Sequence, residues 1–198
     1  MPVTTYRTLS TPAHAEFKDK GSRFIAYALP VRTVTDVKQQ LESVRAEHPK
    51  ARHWCYAYRL GADGQDYRAN DDGEPSGSAG RPILGQIDSA GVTDVLAVVV
   101  RYFGGTLLGV PGLIHAYKTA TADAFASASI VEKNVEKTVH IRCDYPHLSE
   151  ALRIAKLHQA EVLEQDLQLD CNLTLRLPLA HYEACLQAWA QTRVIEML

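Results

Sequence analysis

Two glycine-containing stretches hold most of the side chains in this sequence that are able to do chemistry. The first is Asn70–Pro82, NDDGEPSGSAGRP, and the second is Phe103–Gly112, FGGTLLGVPG. Each runs into a segment with helical spacing. A helix N-terminus presents unpaired N–H groups and a partial positive charge, which suits a phosphate or carboxylate. Ser76, Ser78, Arg81, Arg101, Thr106 and Lys118 surround these loops. With the backbone at Gly80, Gly104 and Gly105, they supply the hydroxyls, cations and free amides an anion needs. One reading is therefore an anion site between the two loops. The alternative is that the glycines serve only to make tight turns. Neither loop is a P-loop or a GxGxxG dinucleotide fingerprint, so nucleotide hydrolysis is not indicated.

Asp71, Asp72 and Glu74 form an acidic cluster in the first loop. Clustered carboxylates can hold Mg²⁺ or act as acid and base. Asp-Gly is also ordinary turn chemistry, and no further ligands are spaced to complete a shell, so no metal site is expected. His53 and Cys55 are two apart on a predicted strand and share a face. Their Cβ atoms are then about 6–7 Å apart, long for a nucleophile–base pair. A Cys/His hydrolase and a buried thiol beside a hydrogen-bonded histidine both remain open. Arg23, Tyr102, Phe24, Trp54 and Phe103 add a scatter of cations and rings of the kind that contacts phosphate and stacks on bases. Cys143, Cys171 and Cys185 read as core thiols.

The elements that must position these residues follow from periodicity. Val3–Leu9 and Arg23–Leu29 read as strands. Thr33 and Asp36 make a capping-box pair ahead of Val34, Val37, Leu41 and Val44, which share one helical face until Pro49 ends the helix. His53–Leu60 and Asp66–Ala69 form a hairpin across Gly61–Gly64. Pro82 opens a helix, Thr93–Arg101 is a central strand covered on both faces, and a long helix covers roughly Leu113–Ser129. A break is expected in the polar stretch Val131–Lys137. Beyond it, Thr138–Cys143, His147–His158, Glu161–Asp166, Cys171–Leu177, Leu179–Gln191 and Arg193–Leu198 alternate as β-α-β-β-α-β, the ferredoxin-like order.

Nine of the twelve glycines lie between Gly73 and Gly112, so unusual backbone is concentrated in one part of the chain. Of the 198 residues, 46% are hydrophobic and 22% charged, which fits a folded chain. The net charge of −2 excludes a histone-like binder. Residues 1–135 carry 15 Lys/Arg against 14 Asp/Glu, and 136–198 carry 6 against 9, so any polyanion site is a local patch. No apolar run reaches membrane-span length and no signal peptide is visible, so a cytoplasmic protein without a membrane partner is expected.

The segments DDGEPSGSAGRPIL (Asp71–Leu84) and VVVRYFGGTLLGVPGL (Val98–Leu113) resemble the YigZ/IMPACT family. GSRFIAY (Gly21–Tyr27), HWCYAYR (His53–Arg59) and Tyr117 extend the resemblance over about residues 1–130. It implies an α+β protein of two domains. Residues 1–135 would form a unit similar to a small-subunit ribosomal protein and to domain four of elongation factor G, and 136–198 a ferredoxin-like unit. It also implies a translation-associated regulatory or binding protein whose cleft holds RNA phosphate, the ribosome or a protein partner of the translation machinery. The alternative reading is a hydrolase-type enzyme on a small anionic substrate, with Asp72, Glu74, His53 or Cys55 as catalytic groups. No cofactor is implied. Matching family positions here are Arg23, His53, Cys55, Asp72, Glu74, Pro75, Gly80, Arg101, Tyr102, Gly104, Gly105, Gly109 and Gly112. Eukaryotic members regulate an initiation-factor kinase through an extra N-terminal domain, and that role is not expected here. Ser78 stands where threonine is usual, and Pro111, which lacks an N–H, where glycine is usual.

Overall fold

The computed structural model describes residues 2–168, 170–192 and 195–198. Contacts divide the chain into two compact units, one of residues 6–133 and one of 134–198 together with 1–5. The architecture is α+β in both.

In the first unit β1 (Thr5–Leu9) is followed by β2 (Ala13–Asp19) and β3 (Ser22–Pro30). Helix α1 (Val34–Glu47) starts at the expected capping box: the Asp36 N–H donates to Thr33 Oγ1 at 3.1 Å and the Thr33 N–H to Asp36 Oδ2 at 2.9 Å. Strands β4 (His53–Leu60) and β5 (Asp66–Asn70) make the hairpin, and α2 (Gly80–Ala90), β6 (Val95–Tyr102), α3 (Gly109–Ala126) and β7 (Ile130–Asn134) follow. Five strands form an antiparallel sheet in the order β2-β3-β6-β4-β5, and β1 pairs with β7. Strand β6 is central. Its Leu96, Val98 and Val100 pack with Val37, Leu41 and Val44 of α1, and its Val95, Ala97 and Val99 pack with α2 and α3 on the other face. Successive side chains alternate faces, so β6 must be apolar throughout, and Val95–Arg101 is buried at every position.

One strand carries no signal in the sequence pattern. Ala13–Asp19 forms edge strand β2, although AHAEFKD lacks β-branched residues; pairing to β3 overrides weak local propensity. The boundary between the two units falls between Lys133 and Asn134, inside the polar stretch Val131–Lys137, although the stretch itself is extended and carries most of β7 and the start of β8. The long helix also begins earlier than expected, at Gly109.

In the second unit β8 (Glu136–Asp144), α4 (Leu148–Leu157), β9 (Glu161–Leu167), β10 (Asp170–Pro178), α5 (Leu179–Thr192) and β11 (Ile195–Met197) give a sheet of order β11-β8-β10-β9. That order, antiparallel throughout, is the ferredoxin-like fold. The core packs Ile141, Leu173, Leu175 and Leu177 against Ala151, Ile154, Cys185 and Trp189. The Trp189 indole N–H donates to Ala151 O at 3.2 Å. The last expected strand, Arg193–Leu198, is seen as Ile195–Met197; Arg193 and Val194 lie outside the described residues.

Candidate functional site: a buried acid–arginine cluster beneath an open cleft

The first glycine loop closes on itself. Asp71 Oδ1 accepts the N–H groups of Ala79 (3.0 Å) and Gly80 (2.8 Å), and Oδ2 accepts that of Gly77 (2.9 Å). A protein carboxylate thus occupies the amides at the start of α2 that an external anion would need. This corrects the expected anion site at the first loop. Ser78 is buried with its hydroxyl donating to Pro75 O at 2.6 Å. Gly80 is held against β5: a Cβ there would lie 2.6 Å from the Asn70 nitrogen. Ser76 and Arg81 remain exposed on the outside of the loop.

Burial acts to raise the Asp71 carboxyl, but the N–H bonds of Gly77, Gly80 and Ala79, with the Arg81 charge, outweigh it and hold the group below its ordinary value. A depressed carboxyl stabilises the fold above its unfolded value and loses that contribution as pH falls through the folded one. Asp71→Asn is therefore expected to cost about 1–2 kcal/mol at neutral pH, as loss of a capping group does. It should also flatten the stability loss that wild type shows below about pH 3.8, the unfolded value. Urea midpoints measured from pH 7 to pH 2 check both; parallel wild-type and variant curves would reject this role for Asp71.

Glu74 and Arg101 make a buried ion pair. Glu74 Oε1 accepts from an Arg101 guanidinium nitrogen at 2.6 Å and from the Tyr117 hydroxyl at 2.8 Å. The Arg101 guanidinium lies 5.5 Å from the Phe24 ring centre and 5.7 Å from that of Phe103, while its Nε has no partner among the described residues. Phe24 meets Tyr117 edge-on at 5.1 Å. The Cys55 thiol lies 2.9 Å from Asp71 O and 3.3 Å from the Tyr117 hydroxyl oxygen, so it can donate to either. It is fully buried, and burial pushes it far above the ordinary thiol range. Reactive thiols sit in partly exposed sites that favour the thiolate, so of the two readings left open the geometry here is that of a buried thiol beside a hydrogen-bonded histidine. Tyr117 is likewise pushed up, first by burial.

His53 shares a sheet face with Cys55 and pairs with Arg101 across β4 and β6. Its Nδ1 is 2.8 Å from Asp72 O. A carbonyl only accepts, so Nδ1 is the donor in this contact. Asp72 itself has φ +43° and turns its carboxylate to the Trp54 N–H (2.8 Å) and to Arg45 (3.4 Å).

The second glycine loop docks on the β2–β3 turn. A Cβ at Gly104 would stand 1.9 Å from Gly21 C and 2.2 Å from Ser22 N, and the Gly104 N–H donates to Ser22 Oγ at 3.2 Å. Gly105 has φ +88° with open space around it, and Thr106 is exposed. Between this loop and the start of β4 lies a cleft of about 450 Å³ lined by Arg52, His53, Arg101, Phe103 and Leu107. Arg101 links the regions, bonded to Glu74 of the first loop and stacked on Phe103 of the second.

The expected ligand residues do not all converge. Arg23 is bound through two bonds to Glu16 (2.9 and 3.1 Å) and stacks 5.6 Å from the Tyr102 ring. The Tyr102 hydroxyl meets His48 Nδ1 at 2.9 Å, on the α1 face of the sheet. Strand alternation places these two opposite Arg101. Lys118 is exposed, about 100° around α3 from Tyr117. Sequence reasoning missed Tyr117, Arg52 and Leu107 as parts of the site. For Tyr117 a signal existed: it is one large polar ring on a face otherwise formed by Ala116, Ala120 and Ala124.

A two-unit α+β chain with a capped glycine loop over a buried acid–arginine pair is the class of protein that these features define. Residues 20–125 match the family model described as the Impact N-terminal domain. The chain is 39% identical over 163 residues to "IMPACT family member YigZ" of Escherichia coli, covering 81% of this chain and 80% of the relative. It is 35% identical over 144 residues to "IMPACT family member YvyE" of Bacillus subtilis, covering 73% and 66%. With "Protein IMPACT" of Rattus norvegicus it shares 33% identity over 100 residues, 48% of this chain and 31% of that one. A crystal structure described only as that of an hypothetical protein matches with a TM-score of 0.77 at 33% identity, covering 100% of this chain and 98% of the other. The chain belongs to the IMPACT family. No described helix is long and apolar enough to cross a membrane.

Proposed function

We propose that this chain is a translation-associated regulatory protein that acts by binding, with the cleft above Arg101 engaging ribosomal RNA phosphate or a ribosome-associated protein. Family membership and the ferredoxin-like second unit support the association with translation. One observation carries the binding role: the reactive side chains of the motifs are consumed in internal bonds. Asp71 caps α2, Asp72 holds Trp54, Glu74 is shared by Arg101 and Tyr117, and Cys55 is buried. These bonds hold rigid a cleft whose other walls are Arg52, His53, Phe103 and Leu107. A preorganised surface binds with less ordering cost. No observation favours the enzymatic alternative.

Arg52→Ala combined with Phe103→Ala removes an exposed cation and the half-exposed ring that stacks on Arg101, and leaves both members of the buried pair unsubstituted. Co-sedimentation of the full chain with ribosomes should weaken about tenfold in this variant, equivalent to about 1.4 kcal/mol. Wild-type binding should also fall as salt rises if phosphate is contacted. Undiminished co-sedimentation of the double variant would reject the cleft as the working surface.

A further inference from the structure

The segment Phe103–Ile114 exposes Phe103 (50%), Leu107 (82%), Val110 (46%) and Ile114 (39%). Among the described residues of the first unit only Val34 and Tyr67 are other exposed large apolar side chains. Such clustering in one short run, on the border of a cleft, marks an interaction surface rather than the usual scatter of single exposed residues. Val110 and Ile114 are one turn apart on α3 and continue outward from the loop that carries Leu107.

We propose that this apolar run and the cleft beside it dock a protein segment that presents aliphatic or aromatic side chains together with acidic ones. The inference rests on the reading of the cleft as a binding surface and names the chemistry of its partner. Charge decides the polar half. The cleft lining includes Arg52, which has no carboxylate partner among the described residues, beside His53 and the already paired Arg101, and it holds no carboxylate. Glu74, just beneath, is already neutralised by Arg101. Lys118 follows Ile114 by one helical turn on the same face and is exposed. The apolar half decides against nucleic acid. A strand of RNA brings stacking faces and phosphates, and only Phe103 among the four exposed side chains is a ring. Leu107, Val110 and Ile114 are matched by the apolar side chains of a protein segment rather than by bases and phosphates. Arg101 is already bonded to Glu74, and Arg23 lies on the other face of the sheet bonded to Glu16, which leaves few cations here for a phosphate track.

A random library of short displayed peptides, selected on the immobilised full chain, tests this. Enriched peptides should combine Leu, Ile, Phe or Trp with Asp or Glu. Their affinity should fall about tenfold or more for Leu107→Ser and for Arg52→Glu, both exposed positions, and unrelated surface changes such as Lys38→Ser should leave it unchanged. The proposal is overturned by three results: no enrichment, peptides that bind both variants as well as wild type, or oligouridine binding that requires Leu107 and Arg52 where peptide binding does not. Ribosome co-sedimentation separates the two readings. Intact ribosome binding with failed selection removes only the partner chemistry proposed here, and successful selection with no ribosome binding removes only the translation role.

Discussion

Replacing Arg101 by alanine is expected to lower the stability of the 6–133 unit by about 3–5 kcal/mol, the usual cost of removing one partner from a buried ion pair. Glu74 and Arg101 side chains are 4% and 7% exposed, so water cannot replace the lost partner. Among the described residues, the Glu74 carboxylate would be left with only the Tyr117 hydroxyl as a side-chain donor. The stacks on Phe24 and Phe103 would go as well, opening the space between the core and the second loop. Denaturant unfolding measures this. The chain has two tryptophans, Trp54 in the first unit and Trp189 in the second. Trp189→Phe therefore leaves Trp54 as the reporter for the unit that matters. A companion variant, Arg101→Met with Glu74→Leu, should recover most of the loss, because replacing both charges with apolar groups is often neutral or stabilising. A loss under about 1 kcal/mol in Arg101→Ala would place the pair among weak surface interactions and reject its role beneath the cleft.

Gly104→Ala is expected to cost about 3 kcal/mol, the upper end of what added atoms in a packed site cost. The new methyl would stand 1.9 Å from Gly21 C, 2.2 Å from Ser22 N and 2.3 Å from Gly21 O. These are backbone atoms of a hairpin turn, and no rotamer change can move them away. The turn is held by the β2–β3 ladder, which runs to the Asp19–Ser22 pair on either side of Gly21, so it has little freedom to retreat. The loop must lift, and with it Phe103 and the wall of the cleft. Gly105→Ala is the control for space, since open volume surrounds that position although its φ of +88° adds strain. Ribosome co-sedimentation and the Trp54 unfolding curve should both respond more to Gly104→Ala than to Gly105→Ala. Equal effects would mean that backbone strain, not close approach, explains these glycines.

Much of the scaffold was legible because its signals are local. The Thr33–Asp36 capping box, the hairpin turn at Gly61–Gly64 and the unbroken apolar run of β6 each depend on neighbours a few residues away. The ferredoxin-like order was legible for the same reason: each of its elements has its own periodicity. Strand β2 was not, since its residues carry no strong strand preference and are recruited by β3. The site was legible as a set of residues but not as an arrangement. The motifs pointed to Asp71, Asp72, Glu74, His53, Cys55 and Arg101 without showing which carboxylate meets which donor.

The amino-acid order alone determined where the chain bends, which segments are buried and which short motifs matter, because glycine, proline, caps and hydrophobic period act through covalent neighbours. Only the folded arrangement decided what the motifs do. It spent Asp71 on the helix amides an anion would have used, sealed Cys55 away from solvent, set Arg23 and Tyr102 on the far face, and brought Glu74 to Arg101 across 27 positions of chain. Each of these outcomes turns on which groups the fold brings together in the interior and which it leaves at the surface. Unpaired polar groups are costly inside a protein, and that sorting is resolved between segments distant along the chain.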